Sequence, residues 1–167
     1  MKTVKSDHCV YAMDRNNEPA LSAKPGEEIV FETKDCYSNT VKSEKDTFKP
    51  EDWDRVNPAT GPVHIEGAEP GDVLVVRILS DEPQSPDTMV QQKGVGALKK
   101  HVGETKTRKI TIRDDVAIFK KDVWIKIKPM VGVIGTAPKS KPVLNGTPGP
   151  HGGNLDCNKI TRGARVY

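Results

Sequence analysis

Lys109-Ile110-Thr111-Ile112-Arg113 is the stretch whose reading decides the fold. Its apolar residues recur at every second position, the period of a strand with one face turned to a core. Val123-Trp124-Ile125-Lys126-Ile127 repeats that alternation downstream. No window longer than about ten residues carries a helical period with caps at its ends. Fourteen Gly and thirteen Pro are scattered over the 167 residues, which favours short strands and frequent turns. The chain is expected to be mainly β.

On the N-terminal side of these strands, Pro25-Gly26 is a turn signal and Glu27-Glu28-Ile29-Val30-Phe31-Glu32-Thr33 behind it is strand-like. That strand delivers Asp35 and Cys36 to its C-terminal end. Residues 43–55 are charged, contain Pro50, and read as a surface loop or short helix. Asn57 to Pro62 is turn-rich and leads into Val63-His64-Ile65-Glu66-Gly67. Pro70-Gly71-Asp72 then precedes Val73-Leu74-Val75-Val76-Arg77-Ile78-Leu79. The two Pro-Gly-acid units predict turns that enter buried strands. Pro129 to Gly135 runs apolar with small residues, as a buried strand beside a close-packed backbone does. With 35% apolar residues and few aromatics, the core should be thin and aliphatic. The length allows one substantial core, with room for a small second β lobe near 80–130.

Twenty-six Lys and Arg against 23 Asp and Glu leave a net charge of +3. That is well short of a dedicated nucleic-acid binder. The segment from Lys93 to Lys121 holds nine Lys or Arg and three Asp or Glu, but only His101 and Phe119 supply rings there. A solvated surface is the better reading of it, and no nucleic-acid partner is expected. Cys9, Cys36 and Cys157 form no CxxC pair, which leaves a zinc ribbon unsupported and suits reduced thiols. The N-terminus lacks an apolar signal core, and the aliphatic run Val73–Val76 is far too short to cross a bilayer. A cytoplasmic protein with no membrane partner is expected.

Candidate chemistry concentrates in Pro148-Gly149-Pro150-His151-Gly152-Gly153-Asn154-Leu155-Asp156-Cys157. Glycine and proline so placed describe a shaped loop that holds His151, Asn154 and Asp156 toward a common point. His151 and Asp156 offer one nitrogen and one oxygen ligand to a divalent metal, at a spacing that matches no standard zinc signature. Two ligands are too few, so Asp35 or groups outside the chain must complete the shell. Asp35 has an ordinary alternative as a turn former at a strand end. Cys36 and Cys157, with His151, invite a thiol nucleophile, although the aspartate before each cysteine works against a thiolate.

Three segments together resemble the acetamidase/formamidase family of amide hydrolases: Asn57 through Asp72, Pro129 through Pro138, and Pro148 through Asp156. Asp35 falls where the family also carries an aspartate. The resemblance covers essentially the whole chain. It implies a jelly-roll-like β-sandwich, with residues 1–167 forming the N-terminal portion of a longer enzyme whose later histidine- and acid-rich motif lies elsewhere. It also implies hydrolysis of formamide or acetamide to carboxylate and ammonia by a metal-assisted water. Asp35, His151 and Asp156 would then bind zinc or calcium. Asn154 would stabilise the oxyanion, and Glu66 is the candidate to protonate the leaving nitrogen. The expected partners are the amide and either further copies of the chain or a complementing C-terminal half. The reading from another class is a non-catalytic β-domain that binds a partner or assembles.

Overall fold

The computed structural model describes residues 1–167, the side chains of Pro50 and Glu51 excepted. Nearly all of its regular structure is strand; among the described residues the helical element is a 3-10 helix at Pro50–Arg55. The mainly β expectation holds.

The longest strand, Lys106–Arg113, contains the alternating stretch and sits inside a four-stranded antiparallel sheet with Asp87–Gln91, Val116–Lys120 and Val123–Lys126. Ile110 is buried and Ile112 half-buried, while Thr111 between them is exposed, as period two requires. Arg113 pairs with Val116, so the hairpin turns on Asp114 and Asp115 alone. Both have positive φ, 49° and 60°, which is the backbone of a type I′ turn. Aspartate tolerates that region better than most residues, because its short side chain bonds locally.

The remaining strands form two-stranded pairs. Lys2–Val4 lies parallel to Ile29–Phe31, and Leu21–Ala23 parallel to Val63–Ile65. Cys9–Val10 pairs with Ala59–Thr60, Ala12–Met13 with Val143–Leu144, and Val76–Arg77 with Arg165–Val166, all antiparallel. Strands from the first 24 residues thus gather segments from 29–31, 59–65 and 143–144 around themselves. The core is thin and mostly aliphatic: Val4, Met13, Ala23, Val41, Ile78, Ile110 and Ile160, with Phe48 the one ring.

Three expectations need correction. Val73 to Leu79 is not a buried strand. Only Val76–Arg77 pairs, Ile78 alone is buried, and Val73 keeps 70% of its surface exposed. The reason is the pairing: one short strand, Arg165–Val166, meets this segment, and a two-stranded ribbon leaves its other edge open. The same holds at Ile29–Phe31, where Val30 and Phe31 are exposed beside the single neighbour Lys2–Val4. Ile125 fails likewise, since Val123–Lys126 is the outermost strand of its sheet. Period and composition identify the strands. They do not supply the layer that would cover them.

Candidate functional site

The loop from Pro148 to Asp156 is built on contacts that only glycine permits. Gly152–Asn154 pairs antiparallel with Val133–Gly135, and Gly149 and Gly152 exchange two backbone hydrogen bonds of 2.8 and 2.9 Å. Gly152 and Gly153 take φ of 101° and 98°. A β-carbon on Gly153 would lie 2.5 Å from the Thr147 carbonyl oxygen, and one on Gly135 would lie 2.5 Å from that of His151. The expected close packing of 129–135 against another backbone is therefore present, although Val133 and Ile134 are half-buried rather than buried.

This packing brings Asn154 and Asp156 together. Asn154 Nδ2 donates to Asp156 Oδ2 at 3.0 Å, and both side chains lie over Gly132, where an added β-carbon would meet Asp156 Oδ1 at 3.2 Å. Asp156 itself has φ of 42°. His151 is half-buried, and its Nε2 is fully shielded from solvent with no protein partner. A buried ring nitrogen so left commonly marks a missing ligand, ion or water.

The other expected residues stay on their own turns. Asp35 Oδ1 accepts from the backbone N–H of Tyr37 at 3.0 Å and of Asn39 at 2.7 Å, while Asn39 Oδ1 accepts from Asp35 N–H. That is an Asx-type turn, with Ser38 and Asn39 both at positive φ. Glu66 is exposed just after Val63–Ile65, with its N–H bonded to the Ala23 carbonyl. Among the described residues, no three His, Cys, Asp or Glu side chains gather closely enough to hold a metal ion. His151 and Asp156 have the donor chemistry of a divalent site; the number of donors does not fit a closed one.

Two residues that sequence reasoning missed join these turns. Asn145 is completely buried. Its Nδ2 donates to the carbonyls of Val10 and Asn57, its N–H to the carbonyl of Tyr11, and its own carbonyl accepts from Asn154 N–H at 2.7 Å. Asn57, at φ of 55°, donates its N–H to the Cys36 carbonyl at 2.8 Å. A chain of hydrogen bonds thus runs from the Asp35 turn through Asn57 and Asn145 to the strand bearing Asn154. In sequence, Asn145-Gly146 reads only as a surface turn, and nothing local reports its burial.

Beside Asn57 opens a cavity of about 550 Å³, lined by Cys36, Tyr37, Trp53 and Asn57 and by the segment 90–102. Tyr37 and Trp53 both pack on Phe48, with ring centroids 5.1 and 5.8 Å away. Part of Cys36 reaches solvent, yet desolvation of its thiol, helped by the Asp35 carboxylate, pushes its pKa up to about 11. Burial, with Cys36 next, pushes the Tyr37 phenol up to about 12. Cys36 is therefore a thiol at neutral pH, which removes the thiolate that a nucleophile there needs.

Residues 13–147 match the model of the Acetamidase/Formamidase family. The crystal structure of an acetamidase from Bacillus halodurans superposes with a TM-score of 0.94 at 39% identity, over 98% of this chain and 56% of that one. That of a recombinant predicted acetamidase/formamidase from Thermoanaerobacter tengcongensis gives 0.93 at 41% identity, over 98% and 55%. A curated protein of Schizosaccharomyces pombe is 28% identical over 135 residues, 75% of this chain and 33% of its own length. The chain thus spans about half the length of the two solved relatives and a third of the curated one.

Proposed function

This chain belongs to the acetamidase/formamidase family, and from that premise we propose that it carries one wall of an amide-hydrolysing site, as the N-terminal portion of a longer or two-piece enzyme. The reaction is hydrolysis of a linear amide such as formamide or acetamide to carboxylate and ammonia. The observation that carries the reading is the Asn154–Asp156 pair, held over Gly132 by a glycine-built loop. One amide hydrogen of Asn154 is engaged by Asp156, and the second is left to donate to an oxyanion developing on the substrate carbonyl. Asp156 fixes the rotamer of that donor. His151 Nε2, shielded and unpaired, has no protein partner to compete with binding or passing a proton.

A divalent ion, zinc or calcium, would take two ligands from His151 and Asp156 and the rest from beyond them; when bound, it polarises the amide carbonyl and acidifies water. Asp35 would add to that set only if its turn were brought to the loop. Glu66, exposed on its own turn, would protonate the leaving nitrogen only if that turn were brought to the loop. The three cysteines are free, as suits a cytoplasmic setting, and no described helix is long and apolar enough to cross a membrane.

The open edges and bare apolar side chains at Phe31, Val73 and Trp124 favour a second reading, that of a β-domain serving as a binding or assembly module. One assay separates the two. Ammonia release from formamide and acetamide is measured with purified 1–167, alone and with a polypeptide carrying the remaining half of the family's length. Turnover that is lost on chelation and in Asp156→Ala supports the hydrolase with its metal. Turnover surviving both removes the metal, and no turnover in either mixture leaves the assembly module.

A further inference from the structure

We propose that the segment Asp122–Lys126 is a self-association edge, where two copies of this chain pair antiparallel about a two-fold axis at Trp124. Such pairing is independent of whether the chain hydrolyses an amide.

The edge is open. Val123–Lys126 is the outermost strand of the four-stranded sheet. In an antiparallel ladder the N–H and C=O of one residue point the same way, and successive residues alternate. Ile127 donates its N–H to the Asp115 carbonyl at 2.9 Å, so Ile127, and Ile125 with it, bonds inward to the sheet. The main-chain groups of Trp124 and Lys126 therefore point outward. A row of such groups is a template for another strand.

Turned end for end, the segment matches itself. Two identical strands paired antiparallel are related by an axis normal to the sheet, which preserves each face. Residues that stand opposite one another must then share a face, and so differ by an even number of positions. With Trp124 opposite its own copy, Asp122 stands opposite Lys126 twice, and Val123 opposite Ile125 twice. Opposite charges and apolar residues so placed each favour the pair. In the same register the outward main chain of Trp124 and Lys126 meets outward main chain of the second copy. Hydrogen bonds and charges thus ask for one alignment.

The charges also select the occupant. Among the described residues, neither Asp122 nor Lys126 has an ion-pair partner within its own chain. An unrelated strand would leave both unmatched, whereas a second copy matches both. Lys121 and Lys128 lie at the ends of the paired segment, exposed, where salt screens their like charges.

Trp124 gives the edge apolar surface to cover. Its ring is 68% exposed while Nε1 donates to the Lys121 carbonyl at 3.1 Å, and Ile125 is exposed on the opposite face. Pairing brings the two Trp124 rings together at the axis and sets each Ile125 beside a Val123. Two sheets of four strands become one continuous sheet.

One strand pair is a small interface, so dissociation on the order of 100 µM is expected. Sedimentation equilibrium of 1–167, over concentrations spanning that value, reads it. Asp122→Lys and Lys126→Asp each set like charges opposite at two points and should weaken the dimer about tenfold or more. The double variant Asp122→Lys/Lys126→Asp remakes both pairs with the signs exchanged and should return to within about threefold of the parent. Both positions are exposed, so the fold has no stake in either change. Amide exchange gives a second reading: Trp124 and Lys126 N–H should gain protection as the concentration rises, with Ile127 protected throughout. A dimer indifferent to both single substitutions, a double variant as weak as the singles, or Trp124 and Lys126 amides unmoved by concentration overturns the proposal. A monomer at every concentration also overturns it, and leaves this edge to a strand of another polypeptide.

Discussion

Asn145 Nδ2 donates to the carbonyl oxygen of Asn57 at 2.9 Å, joining residues 88 apart in sequence, and its other hydrogen reaches the Val10 carbonyl at 2.7 Å. Asn145 is the buried polar residue of the core, and these two bonds use both its donors. Asn145→Leu keeps the volume roughly and strands two carbonyls. Each part-buried acceptor left unpaired costs about 1–3 kcal/mol, so unfolding in urea should show a loss of about 2–6 kcal/mol. A loss under ~1 kcal/mol would mean that water reaches both carbonyls, and the hub reading would be wrong.

Gly152 offers a sharper steric test. Its φ is 101°, and a β-carbon there would overlap the Ile134 carbonyl oxygen and lie 2.6 Å from Gly135 Cα. Both are backbone and cannot swing aside. Gly152→Ala should lose the positive-φ cost of ~1–3 kcal/mol and, beyond it, the pairing of Gly152–Asn154 with Val133–Gly135. Amide hydrogen exchange reads this directly: the Asn154 N–H, bonded to the Asn145 carbonyl, should lose protection. Gly26→Ala is the control, since its φ is 87° but nothing lies within 4 Å of the added carbon. Equal effects at the two positions would show that backbone strain, and not close packing, sets the cost.

These positions also show what a sequence discloses. The loop at Pro148–Asp156 was legible because glycine and proline report backbone geometry locally, and Asn154 and Asp156 do meet there. The strands through Lys109–Arg113 and at Val123–Lys126 were legible because period two is a local property. The exposure of Val73 and Val75 was not, since it depends on which segment pairs alongside. Asn145 was invisible for the same reason: its partners come from positions 10, 11, 57 and 154, and no short window contains them. The type I′ turn at Asp114-Asp115 escaped because its residues are not the Asn-Gly or Asp-Gly that advertise it.

The Cys36 thiol titrates on the high side of the ordinary 9.0, at about 11, chiefly through desolvation and secondly through Asp35. Its folded value lies above its unfolded value, so the stability linked to it is fully present below pH 9 and lost as the pH rises through 11. Alkylation by iodoacetamide follows the thiolate. Peptide mapping should place the midpoint for Cys36 near 11 in the folded chain and near 9 in urea. Coincident midpoints would show that the thiol is as hydrated in the fold as outside it.

The structure shows Asp35 as a turn former, and a pair of substitutions can part that role from the proposed one of ligand. Its Oδ1 accepts from Tyr37 and Asn39, and Tyr37 in turn packs on Phe48. Asp35→Ala deletes both bonds and should cost about 1 kcal/mol, measured as a lower urea midpoint at unchanged slope. Asp35→Asn keeps an oxygen at the same place and should unfold within ~0.5 kcal/mol of the parent. The charge is what distinguishes a ligand from a turn former. In the enzyme completed by its remaining half, a fall in amide hydrolysis of tenfold or more for Asp35→Asn, with stability intact, assigns the carboxylate to the site. Activity retained in Asp35→Asn and lost in Asp35→Ala confines Asp35 to its turn and leaves His151 and Asp156 as this chain's contribution.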